Sequence, residues 1–202
     1  MSGSINQTEA ALQREGYAAA LESASVLQVI KEGLHGRIAV TFLEWSSSGY
    51  LKTRLDWTVL SDANDASAIA EAIRKKSESR GLDPHGAKTS ISYAIDASVD
   101  AFDKLPVTTS RRVIDISGDG TNNNGPSLED SRQRALQKAI IINGLPIGAE
   151  IEDGETIAEY YERHVIGGPG SFIIPANSPA EFQWAIRKLI REVSSISDKR
   201  HS

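Results

Sequence analysis

Cysteine is absent from the 202 residues, which removes disulfides, thiolate metal sites and cysteine nucleophiles together. No apolar run approaches the ~20 residues of a membrane span. The N-terminus lacks a basic segment followed by an apolar one, so no signal peptide is visible and the chain as written reads as soluble and cytoplasmic. Nor is there an excess of positive charge. The net charge is −5, and the lysines and arginines are scattered or sit on helices (Arg74-Lys75-Lys76, Arg187-Lys188, Arg191), which argues against nucleic acid as a partner. Repeats, low-complexity tracts and linkers are missing too. With 40% hydrophobic residues the chain can bury a substantial core, and one domain over residues 1–202 is the expectation.

Several catalytic signatures are also wanting. No two of His35, His85, His164 and His201 stand at metal-binding spacing, and there is no His-Glu-x-x-His. A Gly-x-Ser-x-Gly elbow, the commonest serine-hydrolase signature, does not occur. Asp115-x-Ser117-x-Asp119-Gly120 imitates the first half of an EF-hand loop, but its twelfth position is Pro126 rather than a glutamate. The Gly167-Gly168-Pro169-Gly170 turn lacks the lysine of a phosphate-binding loop, and a structural turn is its usual meaning.

What is present is a clear alternation of elements. Helical spacing of apolar residues predicts a helix over 8–32, ended by Gly33. A buried strand over 36–45 and an alternating strand from Tyr50 to Leu60 form an antiparallel pair. Helices follow over Asn64–Arg80 and Ser90–Phe102, then a strand over 111–117. A helix capped by Ser127 runs to Lys138, and a second buried strand covers 139–147. Residues 148–170 are an irregular excursion with a short helix over Ile157–Arg163. Ser171–Pro175 is a last short strand, and Ser178-Pro179-Ala180-Glu181 opens a terminal helix. This order predicts an α/β fold: a doubly wound, mainly parallel sheet with helices on both faces.

The most informative stretch is Ile114-Asp115-Ile116-Ser117-Gly118-Asp119-Gly120-Thr121-Asn122-Asn123-Asn124-Gly125. An apolar strand runs into a Gly-broken loop carrying a carboxylate and a row of short oxygen-bearing side chains. Open α/β sheets place ligands at such strand ends, and oxygen ligands suit a hard divalent cation. Two further oxygen groups stand at helix starts or chain ends: Ser2 with Ser4, and Thr89. Alone, a Ser-x-Ser pair is usually a turn or cap, Thr89 an N-cap and Asp119 a turn residue. Loops after several parallel strands converge on one edge, so the three groups are able to meet.

In that order and spacing, the set resembles the metal-ion-dependent adhesion site of von Willebrand factor type A domains. A longer string resembles a bacterial family of unknown function with that fold. It comprises Leu12-Gln13-Arg14-Glu15-Gly16, Gly36 to Thr41, Glu44-Trp45, Val113 to Gly120, Ile142 to Ile147, Tyr160-Tyr161 and Val165 to Gly170. The resemblance implies Mg²⁺ or Mn²⁺ held by the Ser2, Ser4 and Thr89 hydroxyls and the Asp119 carboxylate. An open coordination position would accept a carboxylate from a partner protein. Asn122 and Asn123 either line that rim or cap the loop.

One departure is large. The family pattern is Asp-x-Ser-x-Ser, with the Asp ending a central buried strand, whereas here Met1 occupies the x position. The missing strand would lie between those at 37–43 and 112–117. A cation with a single carboxylate is expected to bind weakly, and a chain lacking that strand leaves backbone groups unpaired. A start placed too far downstream, a fragment, or a strand donated by a partner would each account for it. In the first case a lost export signal would make the protein periplasmic. Two functions remain open: a non-enzymatic protein-binding module, or a metal-dependent hydrolase of phosphate esters in which Asp115 or His85 moves protons.

Overall fold

Ser23 divides the expected N-terminal helix in two. Helix α1 spans Gln7–Glu22 and α2 spans Ala24–Glu32, while Ser23 is extended at φ −67° and ψ 134°. Its hydroxyl accepts the Val26 N–H at 3.3 Å and donates to the Ala20 carbonyl at 2.8 Å. A serine offers the backbone such alternatives to the helical ladder, and here it ends one helix and caps the next. The computed structural model describes residues 7–75, 88–109, 111–148, 151–152, 154–175 and 178–194.

Strands β1 (Ile38–Trp45) and β2 (Leu51–Leu60) pair antiparallel, with register irregularities on either side of Phe42. Helix α3 (Ala63–Arg74) starts where the Asp62 carboxylate accepts the Asn64 and Asp65 N–H groups at 2.8 and 3.0 Å. The expected extension of this helix to Arg80 lies outside the described residues, as does His85. Helix α4 (Ile91–Phe102) is followed by β3 (Arg112–Gly118), α5 (Leu128–Gln137) and β4 (Ile140–Pro146). Strands β3 and β4 are parallel and in register from Arg112 opposite Ile140 to Gly118 opposite Pro146. All seven residues of β4 are buried, as its unbroken apolar character requires.

The excursion after β4 holds more order than its composition suggests. Strands β5 (Ile151–Glu152) and β6 (Glu155–Thr156) form a small hairpin. Thr156 and Glu159 make a reciprocal capping box that opens α6 (Ile157–Tyr160). The expected helix to Arg163 becomes a π-helical turn over Tyr161–Val165. The expected strand over Ser171–Pro175 is reduced to a single parallel bridge between Ile173 and Gly144. One physical reason is that Pro175 has no N–H to continue a ladder, and the Phe172 N–H goes to the Asn143 side chain at 3.2 Å. Helix α7 (Pro179–Ser194) begins as expected, with the Glu181 N–H on the Ser178 hydroxyl at 3.3 Å.

Helices pack on both sides of the strands. In one apolar layer α1, α2, α3 and α7 surround Leu60, Leu145 and Ile174. In the other, α4, α5 and residues 157–165 surround Trp45, Ile114, Ile116, Ile140 and Ile142. A buried carboxylate ties the first layer to the strands: Glu44 on β1 accepts Arg14 of α1 at 3.1 Å and Arg54 of β2.

Among the described residues, however, the two strand pairs are not joined. These are the pairs β1–β2 and β3–β4, and no described strand joins β1 to β3. The fold is α/β with helices on both sides of the strands, and the described residues show part of the expected doubly wound sheet, one parallel pair and one long antiparallel pair. Between the two pairs lies a cleft of about 410 Å³.

Candidate functional site

Three consecutive asparagines build the rim at the carboxyl ends of β1 and β3. Asn122 Oδ1 accepts the Ser92 N–H at 2.9 Å, Asn123 Oδ1 the Thr89 N–H at 2.9 Å, and Asn124 Oδ1 the Ser48 N–H at 2.7 Å. The loop after β3 is thereby fastened to the first turn of α4 and to the turn after β1. Backbone bonds reinforce it: the Asn123 N–H donates to the Thr89 carbonyl at 2.9 Å, and the Ser90 N–H to the Ser46 carbonyl at 2.8 Å. Short amides are well suited to such work, because they mimic a backbone turn at little entropic cost.

Ser90, rather than Thr89, is the N-cap of α4, and its hydroxyl accepts the Tyr93 N–H at 3.3 Å. Thr89 is nevertheless buried at the rim. Gly125 allows the loop to come this close. Its φ is +93°, and a Cβ there would stand 2.2 Å from Ser90 Oγ.

Asp119 follows the last residue of β3. It lies within electrostatic reach of the buried Tyr161, whose phenol is held well above its ordinary range, first by burial and then by the Asp119 charge. Tyr160, the residue before it, accepts the Asn122 N–H on its hydroxyl at 3.1 Å. Tyr161 itself packs against Gly144, where a Cβ would meet its ring at 2.8 Å. Thr89 and Asp119 thus belong to one rim. Ser2 and Ser4 lie outside the described residues.

The chain belongs to the DUF1194 family of proteins of unknown function. Its family model matches residues 1–197. No curated protein is similar to the chain. Among solved structures, proximal thread matrix protein 1 from the mussel byssus is similar over 95% of this chain, with 16% identity and a TM-score of 0.61. This chain spans 44% of that protein. A second structure of the mussel protein, described with a zinc-occupied MIDAS motif, matches at 16% identity and a TM-score of 0.59, over 95% of this chain and 45% of that one. An aerotolerance-related membrane protein from Bacteroides fragilis is similar at 19% identity and a TM-score of 0.52, covering 89% of this chain and 88% of that one. At these identities the likeness concerns the fold, which is von Willebrand factor A-like. No helix among the described residues of this DUF1194 chain is long and apolar enough to cross a membrane.

The donors at the DUF1194 rim are oxygens, the chemistry of a hard cation such as Mg²⁺ or Mn²⁺. Among the described residues no group of three or more His, Cys, Asp or Glu side chains could hold a metal ion. The three asparagine carbonyls are occupied by backbone N–H groups, so of the two uses open to Asn122 and Asn123 the structure shows loop capping. Asp115 faces its register partner Asn143, whose Nδ2 donates to Asp115 Oδ1 at 3.1 Å. The stapling role of Asn124 and the closeness enforced by Gly125 escaped the sequence reading. Three asparagines in a row before a glycine are the signal that announces both.

Proposed function

We propose that this DUF1194 chain is a non-enzymatic protein-binding module, a single domain over 1–202, whose rim holds Mg²⁺ or Mn²⁺. Asp119 supplies a carboxylate, and Thr89, Ser2 and Ser4 supply hydroxyls. A carboxylate from a partner protein takes the remaining position. The observation that carries this reading is the asparagine stapling, which fixes Thr89 and the loop of Asp119 on one edge before any ligand arrives. Preorganised donors lower the cost of binding a cation or a partner. The partner's acidic group adds to the charge that holds the cation. The zinc-occupied MIDAS motif of the similar mussel protein supports a metal-holding reading of this kind. The fold that suits this function is the doubly wound sheet of the von Willebrand factor A class.

Capture on a surface carrying a glutamate-rich peptide, set against a glutamine-rich one, tests the proposal. Binding to the acidic surface in Mg²⁺, lost with chelator and in Asp119→Ala, is the expected result. Binding indifferent to Mg²⁺ and to Asp119→Ala contradicts it. Turnover of phosphate esters abolished by Asp119→Ala would replace it with the hydrolase reading.

A further inference from the structure

We infer that the outer face of α7 docks on an anionic lipid surface, with Trp184 entering the interface and Arg187, Lys188 and Arg191 meeting the headgroups.

Helical spacing builds the stripe. Ala185, Ile186, Leu189 and Ile190 point inward and are buried in the layer that α7 shares with α1, α2 and α3. Trp184, Arg187, Lys188 and Arg191 fall between them and share the opposite face. Arg187 and Arg191 are exposed, and Trp184 is 55% exposed. The other two tryptophans are covered: Trp45 is buried, and Trp57 is half-buried with its Nε1 donating to the Ala101 carbonyl at 2.9 Å. An indole as open as Trp184 gains free energy when something apolar covers it.

Charge specifies what covers it. Arg74, Arg134, Lys138 and Arg163 each pair with a carboxylate. None of Arg187, Lys188 and Arg191 has such a partner among the described residues. Arg187 instead donates its Nε to Ser25 Oγ of α2 at 2.7 Å. The Lys188 ammonium lies 4.0 Å from the centre of the Phe172 ring and 5.9 Å from that of Trp184. Aromatic faces hold a cation in place without neutralising it. Positive charge therefore gathers around this open indole, in a chain whose net charge is −5. Glu181, exposed as well, stands in the first turn, on the far side of Trp184 from the cations.

Shape favours a bilayer over a protein. The stripe is the outward, convex side of a helix whose other side is buried, and a peptide partner is held in a groove. A membrane interface is flat. It takes an amphipathic ring at the boundary of its acyl chains and offers an anionic headgroup to each cation. From Trp184 to Arg191 the stripe covers about 10 Å of the helix axis, so α7 lying in the interface plane brings all four side chains to it together. Such docking is weak and reversible, and distinct from spanning.

The test is co-sedimentation and tryptophan fluorescence of the full chain, in chelator, with two kinds of vesicle: phosphatidylcholine alone, and an equal mixture of phosphatidylcholine and phosphatidylglycerol. Chelator removes divalent bridges and separates the result from the proposed site at Asp119. At low salt, binding to the mixed vesicles is expected to exceed binding to phosphatidylcholine by at least about tenfold, and to fall as salt is raised. Tryptophan emission should shift to the blue on binding. Trp184→Phe, which keeps an apolar ring, should lose the shift and retain most of the binding. Arg191→Glu should weaken binding several-fold, while Lys104→Glu, the same charge change beyond the end of α4, should not; both positions are exposed, so both variants are expected to fold. Equal binding to the two vesicles, no binding to the mixed ones, or an Arg191→Glu variant that binds as well as Lys104→Glu overturns the inference. A blue shift with a soluble glutamate-rich peptide and none with vesicles also overturns it, and assigns the stripe to an acidic protein.

Discussion

Asn123 and Thr89 hold each other by two hydrogen bonds, side chain to backbone one way and backbone to backbone the other, each at 2.9 Å. The pair links the loop of Asp119 to the residue just before the N-cap of α4. Asn123→Ala removes an acceptor from a buried backbone donor and should cost about 1–3 kcal/mol. Asn123→Asp keeps the acceptor, so it should retain most of the stability while tightening Mn²⁺ binding by the added charge. Urea unfolding and a metal titration of the two variants check this; an Asp variant as unstable as the Ala variant would count against the staple.

Gly125 is the most intolerant position of the rim. A side chain there combines a left-handed backbone with a contact of 2.2 Å to Ser90 Oγ and 3.1 Å to Ser92 Oγ. Gly125→Ala should lose about 3 kcal/mol or more, from overpacking and backbone strain together. Thermal unfolding measures it. A variant within ~0.5 kcal/mol of the parent, the scatter of ordinary surface changes, would show that the loop does not sit against α4.

Tyr161→Phe goes in the opposite direction. The Tyr161 hydroxyl is buried without a hydrogen-bond partner, so removing it relieves a desolvation cost while the ring stays packed on Gly144. The substitution should be neutral or stabilising by about 1 kcal/mol. A loss of that size instead would mean the hydroxyl is bonded.

Glu44 is the acidic member of a buried triad with Arg14 and Arg54. Glu44→Gln strands two guanidinium groups at the junction of α1 with the first strand pair. Removing one partner of such a pair costs roughly 3–5 kcal/mol. Calorimetric unfolding should show a marked fall, and near-parent stability would place the junction elsewhere.

Acid should weaken the fold. Arg74 holds the Glu15 carboxyl below its ordinary 4.5, the Lys138 ammonium holds Asp103 below 3.8, and bonds from Ser61 and Thr156 do the same for Asp65 and Glu159. Carboxyls depressed in the folded state contribute stability above their unfolded values and lose it as the pH falls through the folded ones. Urea midpoints are expected to be flat from pH 7 to about 5 and to decline below. A midpoint that rises on acidification would contradict these pairings.

Much of this architecture is legible in the chain because the apolar runs of β1, β3 and β4 and the N-caps at Ser127 and Ser178 are local signals. The break at Ser23 is less so, since a serine within an apolar helical pattern can equally stay helical. Residues 148–170 defeat periodicity because their order comes from a four-residue capping box and from Tyr161 seated on Gly144, a contact far apart in sequence. At the rim the residue types were readable but their partners were not. Asn122, Asn123 and Asn124 each bond a different segment, and only the fold brings Ser92, Thr89 and Ser48 within their reach.

The proposed site is one oxygen-lined edge that holds a single divalent cation through Asp119. Electron paramagnetic resonance of Mn²⁺ titrated into the full chain tests it most directly. One bound Mn²⁺ per chain, displaced by Mg²⁺ and lost in Asp119→Ala, is the predicted result; a signal that stays free, or binding unchanged in Asp119→Ala, would contradict it.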